Sequence, residues 1–272
     1  MGRINFKDKK VLITGASTGI GKALAHEFAA RGAHLALGAL PSENALLDSV
    51  AKDIEEQFHI KTWCFAIDLT APDGPERLHQ EVKEKTGGID VLVNNAGIAA
   101  YGRFWEQPWE PLEKTIQLNL QVPTRLMHLF LPDMIKRKSG LIYNTSSVSA
   151  LQPTPFQTVY GATKAGLQSL SQGIRAELKG TGVTVCTLNP PYTATDILTK
   201  GGFPENLRWY AISGGLRRPE WIAKKAVNAL EKRKFLYVTG FNAWLFHIVL
   251  VRFSPRRLVD WVSGFFLKGG WK

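Results

Sequence analysis

The stretch that decides the fold is Lys10-Val11-Leu12-Ile13-Thr14-Gly15-Ala16-Ser17-Thr18-Gly19-Ile20-Gly21. An apolar run of strand length passes here into a glycine-rich turn, and an amphipathic segment of helical length follows over about residues 20–31. Glycines in such a turn let the backbone approach a pyrophosphate, and the helix start directs amide groups at its charge. The stretch therefore predicts a β–α unit that binds a dinucleotide.

Apolar runs and helical segments alternate along the rest of the chain. Further strands are predicted at 33–38, in a run ending at 67, and at 91–93, 141–144, 183–186 and 235–238. Strands that are apolar almost throughout and separated by helices indicate a parallel sheet covered on both faces. We expect a doubly wound α/β (Rossmann) fold of about seven strands. It is expected to be one domain over residues 1–272, since no linker or repeat interrupts the pattern.

Composition narrows the class of protein. The chain has 272 residues, 44% hydrophobic and 21% charged, which is ordinary for a globular protein. Cys64 and Cys186 lie in apolar runs, which predicts buried free thiols and a reducing compartment. We find no signal or transit segment and no run of 18 apolar residues, so we expect a cytoplasmic protein without a spanning helix.

The formal net charge of +11 would attract nucleic acid, anionic lipid or phosphorylated ligands. The sequence shows no arginine-rich groove helix, no zinc-ligand spacing and no aromatic RNA-binding motif. We therefore expect neither a nucleic-acid partner nor a bound metal. A membrane surface stays open as a partner.

Five blocks, in order and at matching separations, resemble the short-chain dehydrogenase/reductase family. They are Thr14-Gly-x-x-x-Gly-Ile-Gly21, Asp68-Leu69, Asn94-Asn95-Ala96-Gly97, Leu118-Asn119-Leu120, and Ser147 with Tyr160-x-x-x-Lys164. The resemblance covers essentially the whole chain. It implies an oxidoreductase in which a nicotinamide moves a hydride while Tyr160 moves a proton.

The resemblance also assigns the cofactor site. Asp68 and Leu69 are expected at the adenine, and Lys164 at the nicotinamide ribose. The cofactor-binding residues that it implies are Gly15, Ser17, Thr18, Gly19, Ile20, Gly21, Asp68, Leu69, Asn95, Ala96, Gly97, Tyr160, Lys164, Pro190, Thr193 and Thr195.

The choice between NAD(H) and NADP(H) depends on charges near the end of the second strand. An acidic residue there accepts hydrogen bonds from the ribose in the NAD pattern, but this chain has Gly38-Ala39-Leu40. The basic residues of NADP-preferring relatives are also missing, with Leu40 and Thr18 in their places. Without the acid nothing repels a 2′-phosphate, which Ser17, Ser42 and the positive potential would help to bind. The sequence thus slightly favours NADP(H) over NAD(H).

The catalytic residues implied by the resemblance are Asn119, Ser147, Tyr160 and Lys164. A tyrosine with a pKa of about 10 is a poor base near neutrality, and a nearby cation lowers that pKa. Tyr160 and Lys164 are four apart and share a helix face. Ser147 is expected to hold the substrate oxygen, with Ser146 as the alternative serine. Asn119 is expected to hold a water in the proton relay.

One residue departs from the family pattern. After the sixth strand the chain reads Pro190-Pro191-Tyr192-Thr193-Ala194-Thr195, with Pro191 where relatives have glycine. Because proline fixes φ and restricts the residue before it, we expect cofactor binding with an altered loop geometry.

Two later segments bear on the substrate. The substrate loop, residues 196–215, is aromatic and aliphatic, which suits an apolar cleft but equally a roof over the core. The C-terminal extension, residues 240–272, reads as two amphipathic helices broken at Pro255. It resembles the tail of bacterial family members thought to act on lipophilic carbonyls. Peripheral membrane contact and packing in a homodimer or homotetramer both stay open. His247 is expected to be a packed core residue.

The sequence thus predicts that the protein interconverts a hydrophobic ketone and a secondary alcohol. A steroid or other polycyclic alcohol is a further candidate substrate. A 3-oxoacyl thioester reductase is the alternative, favoured if the basic surface docks an acidic carrier. A non-catalytic nucleotide sensor is a third, against which the complete catalytic set argues.

Overall fold

The computed structural model describes residues 3–212 and 215–269. Its centre is a seven-stranded sheet in which all neighbouring strands are parallel. The predicted doubly wound α/β fold is confirmed. The strands are β1 Lys10–Thr14, β2 His34–Ala39, β3 Thr62–Ala66, β4 Val91–Asn94, β5 Gly140–Thr145, β6 Val183–Asn189 and β7 Leu236–Val238.

The order across the sheet is β3-β2-β1-β4-β5-β6-β7. Ile13 of β1 pairs with Leu37 of β2 on one side and with Val93 of β4 on the other. The winding therefore changes direction between β1 and β4. In open α/β sheets, ligands bind in the crevice at the carboxyl ends of the strands at such a point.

Helices cover both faces of the sheet. They are α1 Gly19–Ala29, α2 Asn44–Phe58, α3 Gly74–Thr86, α4 Trp109–Ile116, α5 Val122–Lys136, α6 Thr158–Glu177, α7 Asp196–Lys200, α8 Arg208–Ile212, α9 Pro219–Glu231, α10 Phe241–Trp244, α11 Val251–Phe253 and α12 Arg256–Leu267. A 3₁₀ turn, Pro41–Glu43, precedes α2, and a π-helical turn, Gln117–Gln121, joins α4 to α5.

The two cores follow from the alternation of side chains along a strand. Val11 and Ile13 of β1 face the layer formed by α1, α2 and α9. Leu12 between them faces the layer formed by α3, α5 and α6. All three side chains have no exposed surface. This double burial is why the strands read as continuous apolar runs.

The prediction for the cysteines is right for Cys186, which is buried, and wrong for Cys64, which is half-buried. Cys64 lies on β3, which is the edge strand of the sheet and so is covered less completely. Burial raises the pKa of both thiols to about 11, so both stay protonated near neutrality.

The C-terminal extension forms two helical stretches, as predicted. The first runs from α10 through a π-helical turn, Leu245–Leu250, into α11, and Pro255 separates it from α12. Apolar side chains of both stretches pack against Trp209 and Tyr210 of α8. Residues 270–272 of the extension lie outside the described residues. Among the residues that are described, no helix is both long and apolar enough to cross a membrane.

His247 is a core residue, as predicted. Its side chain is 4% exposed and packs beside the ring of Trp209. Its Nδ1 lies 3.1 Å from Oε1 of Gln152. Gln152 follows Ser147 by five residues in the sequence. The extension is therefore joined to a segment that borders the site.

Candidate active site

A cavity of about 680 Å³ opens at the carboxyl ends of the central strands. Every predicted site residue lines its wall except Gly21 and Asn119, which lie behind it. The sheet therefore brings together predicted site residues that are far apart in the sequence, from Gly15 to Thr195.

The glycine turn has the shape that a pyrophosphate requires. Gly15 and Gly19 have φ of +64° and +55°, where a side chain would be strained. A Cβ on Gly21 would lie 1.9 Å from the carbonyl oxygen of Gly15, so Gly21 serves the close packing of α1. Thr18, before α1, makes no side-chain capping bond, which leaves the first amides to a ligand. The residues present fit a dinucleotide.

Asn95 holds this turn in place. Its Nδ2 donates to the carbonyl oxygens of Thr14 and Gly15 at 3.0 and 3.2 Å. The hydroxyl of Thr14 accepts from the amides of Asn95 and Ala96, both at 3.0 Å. The side-chain amide of Asn95 thus positions the glycine turn, and its predicted contact with the cofactor stays a prediction.

The far end of the cavity is mainly apolar and fits an adenine. Ile67, Leu69 and Phe65 line it together with Asp68. The amide and the hydroxyl of Thr70 donate to Oδ1 of Asp68 at 2.8 and 2.7 Å. These hydrogen bonds lower the pKa of Asp68 and keep it ionised.

The residues that end β2, Gly38-Ala39-Leu40, carry no carboxylate, but one lies close to them in the structure. Glu43, in the 3₁₀ turn after β2, lines the cavity. The hydroxyl of Ser17 donates to its Oε2 at 2.5 Å, and Nζ of Lys200 lies 3.8 Å from its Oε1. Glu43 is not one of the residues that end the strand, where the family pattern places its acidic residue. The spacing could have revealed Glu43, which comes 22 residues after Gly21, close to the usual interval of about 20. Ser42, by contrast, is exposed and is not on the wall.

Tyr160 and Lys164 share one face of α6, as predicted. Nζ of Lys164 lies 5.7 Å from the centre of the Tyr160 ring and donates to the carbonyl oxygen of Thr145 at 2.9 Å. The lysine is 4% exposed, and burial lowers its pKa to about 8. It is therefore still mainly charged at pH 7.

The expectation that the pKa of Tyr160 is lowered does not hold. Burial raises the pKa of this phenol, and a hydrogen bond with Ser147 only partly opposes the rise. The physical reason is that desolvation penalises the phenolate, while the ammonium of Lys164 is directed at Thr145.

The structure distinguishes the two adjacent serines. The hydroxyl of Ser146 is buried and donates to the carbonyl oxygen of Lys164 at 3.0 Å. The hydroxyl of Ser147 accepts from the amide of Ser149 at 3.1 Å and contacts Tyr160. Only Ser147 is hydrogen-bonded to the phenol, which supports its predicted role over the same role for Ser146.

Asn119 lies in the π-helical turn and is 1% exposed. Its Oδ1 accepts from the amide of Ile98 at 2.9 Å, and its Nδ2 donates to the carbonyl of Ile98 at 2.8 Å. A Cβ on Gly97 would lie 3.0 Å from Oδ1 of Asn119 and 3.4 Å from Nζ of Lys164. Asn119 thus positions the chain beside the lysine, and its role in holding a water stays a prediction.

The loop after β6 is anchored on its outer side. Ala194 donates to the carbonyl oxygen of Arg217 at 2.8 Å, and Arg217 donates to that of Tyr192 at 3.1 Å. At the start of α7, Thr195 lies close to the glycine turn, because a Cβ on Gly19 would be 3.1 Å from its methyl group. The loop thus brings Thr195 to the glycine turn, and the altered loop geometry expected from Pro191 stays a prediction.

The predicted substrate loop divides into two parts. Ile197, Leu198 and Phe203 line the cavity with Tyr192, whose hydroxyl accepts from Nε2 of Gln157. The later residues Leu207, Trp209 and Tyr210 instead form a buried cluster with the extension. The first part of the loop thus forms a wall of the cleft, and the second part packs in a core cluster. Residues 213–214 of the loop lie outside the described residues.

A family comparison agrees with this geometry. The sequence profile described as short chain dehydrogenase matches residues 9–202, more than half of the chain. The chain belongs to the short-chain dehydrogenase family. This short-chain dehydrogenase is 35% identical over 244 residues to the 3-oxoacyl-[acyl-carrier-protein] reductase FabG of Thermotoga maritima, covering 87% of this chain and 96% of that protein.

Two further relatives are similar. A short chain dehydrogenase of Pseudocercospora fijiensis is 36% identical over 187 residues, which span 67% of this chain but only 59% of that protein. The solved short-chain dehydrogenase from Sphingobium yanoikuyae in complex with NADPH is 30% identical, with a TM-score of 0.79, and 90% of this chain matches 93% of that one. This short-chain dehydrogenase is therefore an oxidoreductase that uses a nicotinamide dinucleotide. Its described residues contain no cluster of three or more histidine, cysteine or acidic side chains suited to a metal.

Proposed function

We propose that the protein interconverts an apolar ketone and the corresponding secondary alcohol. One observation carries the proposal: the hydrogen-bonded pair Ser147 and Tyr160 shares a cavity with the glycine turn, under a wall of Tyr192, Phe203 and Leu198. A cleft that is largely apolar with a few convergent polar groups is the usual form of a small-molecule site.

The chain's own residues act on the oxygen of the substrate. A dinucleotide held along the glycine turn of Gly15 and Gly19 would supply the hydride for the carbonyl carbon. Ser147 donates a hydrogen bond to the carbonyl oxygen, and Tyr160 transfers its proton to that oxygen as charge develops there. Because the pKa of Tyr160 is raised, the phenol is protonated and ready for reduction near neutrality. The Lys164 ammonium, 5.7 Å from the ring, stabilises the phenolate that remains.

The test is a panel of ketones and secondary alcohols, followed by absorbance of the reduced nicotinamide. We expect turnover to increase as the alkyl or ring substituents of the ketone become larger and more apolar. Turnover confined to small hydrophilic substrates such as sugars would overturn the proposal.

Reduction of a 3-oxoacyl thioester is the second candidate. It is favoured by the relationship to FabG, which extends over 96% of that relative. The pair Gln157 and Tyr192 adds a polar group to an otherwise apolar wall, where it can meet a second substrate oxygen. A 3-oxoacyl thioester reduced at least tenfold more efficiently than the ketone of equal chain length would favour this candidate.

We also propose that the extension contacts an anionic lipid surface. Its outward side chains include Phe253, which is 81% exposed, and Trp261, which is 66% exposed. Arg252, Arg256 and Arg257 beside them are also exposed. Exposed aromatic residues flanked by arginines complement anionic headgroups, each cation contributing about 1 kcal/mol near the surface. The homodimer or homotetramer expected from the family stays a separate prediction, which light scattering tests.

A further inference from the structure

We propose that Glu43 binds the adenosine ribose of the dinucleotide and makes this protein selective for NAD(H) over NADP(H). The inference rests on the proposed function only in that a dinucleotide must lie along the glycine turn. Glu43 lies outside the five sequence blocks shared with the family, and its charge reverses the slight preference for NADP(H) that residues 38–40 indicate.

The position of Glu43 between the two ends of the cofactor site is the first argument. The glycine turn fits the pyrophosphate, and the apolar end with Asp68 and Leu69 fits the adenine. The ribose between them must pass the stretch of wall formed by Ser17, Ala39 and Glu43. Glu43 is the carboxylate on that stretch.

The hydrogen bonding of Glu43 is the second argument. An ionised carboxylate only accepts hydrogen bonds, which suits it to the two hydroxyl groups of a ribose. The hydroxyl of Ser17 donates to Oε2 at 2.5 Å, which fixes the side chain. Oε1 lies 3.8 Å from Nζ of Lys200, beyond hydrogen-bond distance, and can accept from a ribose hydroxyl. The proton of Ser17 is then used by Glu43, so Ser17 cannot donate it to a 2′-phosphate.

The local charge is the third argument. Lys200 is the nearest cation, with Nζ 3.8 Å from Oε1 of Glu43 and 4.0 Å from Oδ2 of Asp196. Two carboxylates and one ammonium leave a net charge of −1 in this group. The lysine side chain is also 69% exposed, so water and salt screen its charge. A phosphate monoester, which carries about −1.5 to −2 at neutral pH, is repelled here.

The experiment measures dinucleotide binding directly, by isothermal titration of the full chain without substrate. We expect NAD⁺ to bind at least tenfold more tightly than NADP⁺. Glu43→Gln keeps the shape and the contact with Ser17 but removes the charge, so it should reduce this ratio at least tenfold, chiefly through tighter NADP⁺ binding. Glu56→Gln, on the exposed side of α2 and outside the cavity, removes the same charge and should leave the ratio unchanged.

Each contrary result has a definite meaning. Tighter binding of NADP⁺ by the unaltered protein would overturn the inference, as would an unchanged ratio in Glu43→Gln that still melts at the original temperature. If Glu43→Gln does not fold, Glu43→Asp, which withdraws the charge from the ribose, must lower the affinity for NAD⁺. Binding of neither dinucleotide would remove this inference together with the proposed function. Selective binding of NAD⁺ without turnover of any carbonyl would remove the proposed function alone.

Discussion

The ammonium of Lys164 donates a hydrogen bond to the carbonyl oxygen of Thr145 at 2.9 Å, inside the protein. Ser146, the next residue along the chain, donates in turn from its hydroxyl to the carbonyl of Lys164 at 3.0 Å. These two bonds fix α6 against the end of β5. Ser147, which follows directly, is thereby placed in contact with Tyr160.

Tyr160→Phe removes the proton donor and leaves the ring. We expect kcat to fall by about 10²- to 10⁴-fold, the usual contribution of a positioned general acid. The affinity for the dinucleotide should change by less than about twofold, since binding energy realised only in the transition state does not alter ground-state affinity. Steady-state kinetics with isothermal titration checks both. A variant with unchanged kcat would contradict the mechanism.

Ser147→Ala and Ser146→Ala form a matched pair, because each removes one of two adjacent buried hydroxyl groups. Ser147→Ala should lower kcat by about 10²-fold through loss of a hydrogen bond to the reacting oxygen. Ser146→Ala should act mainly on stability, by about 1 kcal/mol for its bond to Lys164. Kinetics and thermal unfolding separate the effects. A large loss of kcat in Ser146→Ala, with only a loss of stability in Ser147→Ala, would show that Ser146 binds the substrate oxygen instead.

Gly21→Ala tests the glycine turn. Its Cβ would lie 1.9 Å from the carbonyl oxygen of Gly15, so either the turn or α1 must move. We expect dinucleotide affinity to fall at least tenfold. The control is Gly173→Ala in α6, where a Cβ meets no atom within 4 Å and helix propensity gains up to about 1 kcal/mol. Equal dinucleotide affinity in both variants would show that the turn is not the binding site.

The buried side chain of His247 should make the folded protein less stable in acid. Burial lowers its pKa from 6.5 to about 4, so between these values the unfolded chain binds a proton that the folded protein does not. The free energy of unfolding should therefore fall by about 3 kcal/mol as the pH drops from 6.5 to 4. Denaturant titrations measure the free energy of unfolding at each pH. In His247→Gln, the part of the decrease that comes from His247 should be missing. The exposed control His128→Gln should retain it, and equal pH profiles for all three proteins would contradict the prediction.

The lipid contact is tested by sedimentation with vesicles. The protein should co-sediment with vesicles of phosphatidylcholine that contain one-fifth phosphatidylserine, and much less with neutral vesicles. The double substitution Phe253→Ser with Trp261→Ser should reduce the bound fraction at least fivefold. Leu46→Ser, at an exposed apolar residue of α2, should not. Equal binding of both vesicle types would contradict the charge argument. A lower molar mass of the double variant in light scattering would identify a subunit interface instead.

Some features of this protein follow from the sequence because they depend on short stretches of chain. The period of the apolar runs gave the parallel sheet, since each strand is buried on both faces. The positive φ of Gly15 and the close approach of Gly21 to the carbonyl oxygen of Gly15 are local in the same way. The i, i+4 spacing of Tyr160 and Lys164 places them on one helix face in any helix.

Other features depend on contacts between residues distant in the chain. Glu43 belongs to the site because a turn after β2 carries it to Ser17, 26 residues earlier. The raised pKa of Tyr160 and the choice of Ser147 over Ser146 depend on burial and on which partner each hydroxyl meets. The sequence by itself determined the fold and the placement of Tyr160 and Lys164 on one helix face. Only the tertiary structure decided the charge that faces the cofactor and the pKa of the acid, because desolvation and hydrogen bonding depend on neighbours that spacing does not specify.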